Sequence, residues 1–224
     1  MSILAFNGSP RKNSNSSILL KSFITGAKTN GEAAEIIKVD ELNLEPCIGC
    51  LRCNHLKKCA QDKDAWPVVS QKILDATTII FATPIYFHHM PSQLKKVVDR
   101  FRSFVHVQIL EDGLKHTPWV KWHKNFVLLL TLGSPLKHDS LPILDLFKFI
   151  CFELGTENTL STICATRLAI PNQITMDKNR LRLVYEKMNI PQHLVDEDFL
   201  RNQQVLDETY QLGVRLTAPS GASV

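Results

Sequence analysis

An open parallel sheet covered by helices on both faces is the α/β fold class predicted by the sequence, on three observations. Short apolar runs alternate with longer segments whose apolar residues recur at helical spacing. Two of the runs, Thr77 to Ala82 and Phe126 to Leu132, are almost unbroken, as strands buried on both faces are. With 44% of 224 residues hydrophobic, the chain can fill a sizeable core without disulfide staples.

The elements follow in order. Ser2 to Phe6 reads as a strand, and Ser16 to Lys28 as a helix, since Ile18, Leu19, Phe23 and Ile24 share one face. Ala34 to Val39 is the next strand. A cysteine-rich loop at 46–64 then leads to a helix from about Ala65 to Leu74 and to the strand Thr77 to Ala82. Pro91 marks the first position of a further helix that buries Leu94, Val97, Val98 and Phe101 and leaves Lys95, Lys96 and Arg100 wet. Val105 to Asn125, dotted with Trp and His, reads as a polar connection. The strand Phe126 to Leu132 follows, then a loop over Gly133 to Asp139, a helix through Leu144, Phe147 and Ile150, and a last strand at Thr159 to Thr166. Met176 to Met188 and Asp196 to Leu216 read as helices. Residues 1–216 are expected to form one domain, with 217–224 a small, polar, flexible tail.

In such a sheet the loops that follow the strands gather at one edge, where ligands bind. The first, Asn7 to Ser17, joins a strand to a helix. Unpaired N–H groups at a helix start, Ser and Asn donors and the charge of Arg11 suit a phosphate. The same Ser and Asn residues also serve simply to cap the helix. Neither the Gly-Lys-Ser/Thr nor the Gly-x-Gly-x-x-Gly pattern is present, which counts against ATP and against dinucleotides held in the usual way. The third loop, Thr83 to Met90, is apolar and aromatic where a surface loop is normally polar. It offers a flat wall to a planar ring, or packs into the core or a subunit contact.

Six cysteines are the unusual part of the composition. Cys47, Cys50, Cys53 and Cys59 fall in one loop with spacing Cys-x2-Cys-x2-Cys-x5-Cys, whereas Cys151 and Cys164 stand apart as packing residues on a helix and a strand. No signal peptide or membrane-spanning run is evident, so a cytoplasmic location is expected, and there crowded thiols read as metal or redox ligands. Four thiolates in so short a loop can wrap a compact iron-sulfur cluster or remain redox-active thiols. Zinc knuckles usually need a dozen or more residues between their two pairs. A net charge of +4 is too small to indicate nucleic acid. No catalytic side chain is assigned, because no Ser/His/Asp or paired-carboxylate arrangement stands out.

Gly8-Ser9-Pro10-Arg11 with Ser14-Asn15-Ser16, then Cys47-x-Gly49-Cys50-x-x-Cys53 with Cys59, then Pro84-Ile85-Tyr86, Leu94-Lys95 and Asp99-Arg100 resemble, in order and spacing, the NADPH-dependent FMN reductase-like flavoproteins. The likeness spans about residues 1 to 166 and is strongest to the iron-sulfur flavoprotein branch. It implies a flavodoxin-like, doubly wound, five-stranded parallel sheet of order 2-1-3-4-5. It also implies FMN, with its phosphate held by Ser9, Arg11, Asn15, Ser16 and Ser17. The ring would lie against Pro84, Ile85, Tyr86 and Phe87, with Thr131, Leu132 and Gly133 as a third wall. A 4Fe-4S cluster on Cys47, Cys50, Cys53 and Cys59 and NAD(P)H as co-substrate complete the implied chemistry. The implied partners are a small-molecule acceptor or ferredoxin-type carrier and a second copy of the chain in a homodimer or homotetramer, with no nucleic acid and no membrane. A cluster-free FMN or quinone reductase and a non-catalytic flavin carrier or redox sensor are the alternatives. Asp99 and Arg100 read as structural or interface residues.

Overall fold

The computed structural model describes residues 2–219. Among them, five parallel strands form one sheet: β1 (Ile3–Asn7), β2 (Ala34–Lys38), β3 (Thr78–Pro84), β6 (Asn125–Thr131) and β7 (Thr159–Ala165). Their order is β2-β1-β3-β6-β7, the expected 2-1-3-4-5 once the hairpin described below is set aside. Register follows the pleat. Leu4, Phe6, Ile79, Phe81, Phe126, Leu128 and Leu130 face one side, packed on α3 (Trp66–Asp75), α4 (Ser92–Arg100) and α5 (Leu141–Leu154). Ile3, Ala5, Ile80, Ala82, Val127 and Leu129 face the other, under α1 (Asn15–Lys28) and α7 (Leu194–Thr217). Neither face of the central strands has a polar set, which explains the unbroken apolar runs. On the first side Phe6 stacks on Phe81 at 5.2 Å between centroids, and Phe81 tilts against Phe147 at 4.7 Å.

Each helix begins and ends for local reasons. Ser14 caps α1 by accepting the Ser17 N–H on its side chain. Pro67 and Pro142 lie in the first turns of α3 and α5, where a missing N–H costs nothing. Pro91 stands one place before α4 rather than inside it. Asp177 caps α6 (Lys178–Lys187) through the Arg180 N–H, and α6 packs with α7 around Leu181, Tyr185 and Val195. α7 runs through Thr217, which is buried, so the expected tail begins later than 217; positions 220–224 lie outside the described residues.

Val105 to Asn125 departs from the expected polar connection. Most of it is an antiparallel hairpin, β4 (Val105–Leu110) and β5 (Gly113–Pro118), turning at Glu111-Asp112. Val105, Val107 and Ile109 alternate with His106 and Gln108 at the strand period, a signal masked by the polar residues between them. The hairpin sits against α2 (Cys53–Leu56), a single helical turn within the cysteine loop. The Asn54 amide stands in for a strand there: its Nδ2 donates to the Val107 carbonyl at 2.9 Å and its Oδ1 accepts the Val107 N–H at 3.0 Å.

Helices α1 and α7 meet at two glycines. A Cβ on Gly213 would lie 2.1 Å from the Phe23 carbonyl oxygen, and one on Gly26 equally close to that of Tyr210. An exposed helical Gly gains about 1 kcal/mol on becoming Ala. Here the methyl meets backbone that cannot rotate away, and overpacking costs roughly 1–3 kcal/mol or more. Gly213→Ala is therefore expected to lower the unfolding free energy by about 2 kcal/mol in urea titration; a stabilised variant would refute the close crossing.

Candidate functional site

The carboxyl ends of β1, β3, β6 and β7 open onto one cleft of about 250 Å³. Gly8 makes it possible by lying flat against β3. Its N–H donates to the Ala82 carbonyl at 2.8 Å, and a Cβ there would strike Leu94 Cδ2 at 2.8 Å. Close approach, not an unusual dihedral, is why glycine is needed at this position. Asn7 ties the loop back: its Nδ2 donates to Ser17 Oγ at 2.9 Å, and its Oδ1 accepts the Ser9 N–H at 3.3 Å.

Of the twelve residues expected to hold the cofactor, nine line the cleft: Ser9, Arg11, Asn15, Ser16, Pro84, Ile85, Tyr86, Thr131 and Gly133. Ser17, Phe87 and Leu132 do not. Ser17 is turned toward Asn7 and Ser14, and Leu132 is buried with its backbone paired to Ala165 and Leu168. Phe87 stands fully in solvent on a two-residue turn closed by Tyr86 and His89, with Phe87 and His88 both at positive φ. Ser14, Leu168, Ala169 and Pro171 complete the lining without having been foreseen. The last three follow β7, whose carboxyl end belongs to the same sheet edge as the other three loops.

Several side chains expected to meet a phosphate are engaged within the protein. Asn15 Nδ2 donates to the carbonyls of Ile170 at 2.8 Å and Leu168 at 3.4 Å, and its Oδ1 accepts the Ile174 N–H at 3.1 Å. Asn15 is thus a clamp on the loop after β7. Ser16 Oγ pairs with Thr131 Oγ1 at 2.8 Å, and Arg11 Nη1 donates to the Ala169 carbonyl at 3.0 Å. Apart from the Ser17 N–H, which Ser14 Oγ accepts, the backbone N–H groups of the first turn of α1 have no intrahelical acceptor, and they carry the positive end of the helix dipole. Among the described residues, no carboxylate lines the cleft. One end therefore suits an anion, and Pro84, Ile85 and Tyr86 give the other an apolar wall.

The loop after β7 is braced from behind. Arg167 and Arg201 reach the buried Asp198 at 2.9 and 2.6 Å, the Tyr185 hydroxyl donates to its other oxygen at 2.5 Å, and Gln173 Nε2 donates to the Arg167 carbonyl at 2.7 Å. Burial, reinforced by the Asp198 carboxylate, pushes the Tyr185 phenol up to about 12.

In the loop that follows β2, the four cysteines all border a second cavity, of about 200 Å³, closed by Arg100, Arg102 and Ser103. Gly49, between the first two, has φ +64°, a conformation only glycine adopts freely. The loop is held at its base by Arg100, which is buried. Its Nη1 donates to Asp64 and to the Glu45 carbonyl, both at 2.8 Å, its Nη2 donates to the Gln61 carbonyl at 2.7 Å, and the guanidinium lies over the Trp66 ring. Both ends of the loop thus hang on one side chain, and Arg100, expected on the wet side of α4 with Lys95 and Lys96, is instead buried because its guanidinium is taken up by Asp64 and two carbonyls. Asp99, by contrast, pairs with Lys95 on the wet side of α4. Arg100 and Arg102 both border the cysteine cavity, no carboxylate among the described residues does, and Arg100 Nε is buried without a partner.

Among the described residues, no three His, Cys, Asp or Glu side chains converge as a single metal ion requires. The four thiols line a cavity instead, with Arg100 and Arg102 on its wall. Burial raises the Cys53 thiol and Arg102 works against that rise. Cys151, which is buried and far from the loop in sequence, is pushed up to about 12 by burial, as befits a packing residue.

Residues 1–134 match the family described as NADPH-dependent FMN reductase. An iron-sulfur flavoprotein of Methanocaldococcus jannaschii is 32% identical over 102 residues, covering 46% of this chain and 52% of that protein. One from Archaeoglobus fulgidus is 37% identical over 103 residues, covering 46% and 49%. The matched part spans about half the length of these curated relatives. Among solved structures, an NAD(P)H:quinone oxidoreductase from Methanothermobacter marburgensis superposes with a TM-score of 0.63 at 13% identity, covering 96% of this chain and 98% of that one. An FMN-dependent NADH-azoreductase from Bacillus anthracis in complex with FMN gives 0.61 at 16%, covering 97% and 100%. At such identities the likeness is one of fold.

Burial opposes the Asp64 carboxylate, but hydrogen bonds from Arg100 and from the N–H groups of Trp66 and Glu45 outweigh it and hold the carboxyl below its usual range. A depressed folded value means the stabilisation is present above the unfolded value and is lost as pH falls through the folded one. Asp64→Asn is expected to cost about 3 kcal/mol at neutral pH. It should also flatten the loss of stability that the wild type shows below about pH 4 in urea titrations.

Proposed function

The chain belongs to the NADPH-dependent FMN reductase family, and from that membership we propose that it is an FMN-dependent NAD(P)H oxidoreductase with a 4Fe-4S cluster in its cysteine loop. The observation that carries the flavin is the cleft itself: free N–H groups of a helix start at one end, an apolar wall at the other, and no carboxylate between them. The curated relatives, which are iron-sulfur flavoproteins, and the thiol-lined cavity with its two guanidiniums support the cluster.

FMN supplies hydride and single-electron chemistry, so the protein's task is position and electrostatics. The start of α1 and Arg11 hold the phosphate. Arg11 can exchange its bond to the Ala169 carbonyl for a charge-assisted one to the ligand. Asn15 and the Ser16–Thr131 hydroxyl pair keep the phosphate loop and the neighbouring loops in register. Pro84, Ile85 and Tyr86 exclude water from one side of the ring, with Thr131 and Gly133 beside it. The cysteine loop, kept in place by Arg100, adds a one-electron station, which suits exchange with a ferredoxin-type carrier or a small-molecule acceptor. Among the described residues no helix is long and apolar enough to cross a membrane. We place the protein in the cytoplasm, acting as a homodimer or homotetramer.

Anaerobic purification with flavin, iron and sulfide quantified per chain tests both cofactors. About one FMN and about four iron and four sulfide are expected. Flavin without iron leaves a cluster-free reductase, whereas absence of flavin defeats the proposal. NADPH should bleach the bound flavin in stopped-flow mixing; a flavin reduced only by a carrier protein would indicate an electron carrier. Arg11→Ala should weaken FMN binding about tenfold, the worth of one hydrogen bond between charged groups.

A further inference from the structure

Arg102 lies in the short turn after α4, on the wall of the cysteine cavity. Its Nη1 donates to Cys53 Sγ at 3.4 Å and to the Val105 carbonyl at 2.9 Å, and its Nη2 donates to Asn54 Oδ1 at 2.9 Å. Cys53 is the buried member of the four loop cysteines. The charge on Arg100 is balanced by Asp64, whereas Arg102 has no carboxylate within ion-pair distance among the described residues. A half-buried guanidinium thus rests on a thiol sulfur with its charge uncompensated, in a cavity without acidic lining.

We infer that Arg102 is a positioning residue for the cluster, supplying a positive charge and an N–H donor at the Cys53 sulfur and so favouring the reduced, more negative state. This rests on the cluster proposed above. Net charge and hydrogen bonds to sulfur are among the factors that set such potentials. A fixed cation stabilises the more anionic of two states, so it raises the potential. Lys57, Lys58 and Arg52, the loop cations evident from the sequence, are exposed, and their charges are screened by water and salt.

The test is a dithionite titration of the reconstituted full-length protein, followed by visible absorbance and electron paramagnetic resonance, with iron counted first. Wild type, Arg102→Gln, Arg102→Lys and the exposed-charge control Lys58→Gln are compared. Arg102→Gln with full iron is expected to shift the oxidised-to-reduced ratio about tenfold toward oxidised, or about 59 mV lower for one electron. Arg102→Lys and Lys58→Gln should stay within about threefold of wild type. If Arg102→Gln holds no iron while Arg102→Lys holds it at a near-normal potential, the charge is again what is needed. A change below about threefold in iron-loaded Arg102→Gln, or an equal change in Lys58→Gln, overturns the inference and leaves the cluster standing. So does loss of iron from both Arg102 variants, which marks Arg102 as a mere brace. A wild type without iron overturns the cluster and this inference together.

Discussion

Everything in the molecule depends on a sheet whose central strands have no polar face. β1, β3 and β6 carry apolar side chains up and down, so helices must cover both sides, and the backbone polar groups in between are consumed by the ladder. In these three central strands, each paired on both sides, unpaired backbone groups survive only where the strands end. The carboxyl edge is where β1, β3, β6 and β7 hand over to helices or loops, and there Ser9, Tyr86, Thr131 and Leu168 come within one cleft. The site is thus a consequence of covering the sheet. Close contact at Gly8, and the Gly26–Gly213 crossing behind it, let α1 bring its N-terminus down to that edge.

The cysteine loop obeys a second constraint. It leaves its large apolar side chains Ile48, Leu51 and Leu56 exposed, and it hangs on polar anchors: Arg100 with Asp64 at its base, Asn54 and Arg102 at its middle. A buried ion pair is a costly way to hold a loop, because desolvation cancels much of the attraction. Its benefit is direction. The planar guanidinium reaches the carbonyls of Glu45 and Gln61 together, fixing the two ends of the loop relative to each other and to the Trp66 ring. Loosely held thiols would approach any soft metal; thiols set around one space select what can fill it.

Periodicity was enough to place the strands, because alternation on both sheet faces and the helical repeats of α1, α4 and α7 are written in apolar residues. The hairpin at Val105–Leu110 was hidden for the opposite reason: His106, Gln108 and the Trp and His residues around it dilute a period-2 signal that only packing against Asn54 makes decisive. At the cleft, residues on loops whose ends are strand ends were legible, as Pro84 to Tyr86 shows. Their hydrogen-bond duties were not. Asn15 looks like a phosphate donor in sequence, yet its three bonds go to a segment more than 150 residues away. Arg102 lay beyond sequence reasoning, since nothing local links it to Cys53, 49 residues earlier.

The two cavities meet negative charge in different ways. The cleft at the sheet edge does so with backbone N–H groups and one exposed arginine, a solvated and reversible arrangement suited to a ligand that arrives as a phosphate already charged. The cysteine cavity uses side-chain cations that are buried or half-buried, one neutralised by Asp64 and one not. A buried uncompensated cation is unfavourable by itself, and its cost falls only when a negative group sits against it. For the cluster proposed above, such a cation would contribute little while the cluster's negative charge is small and most once an added electron has made it larger.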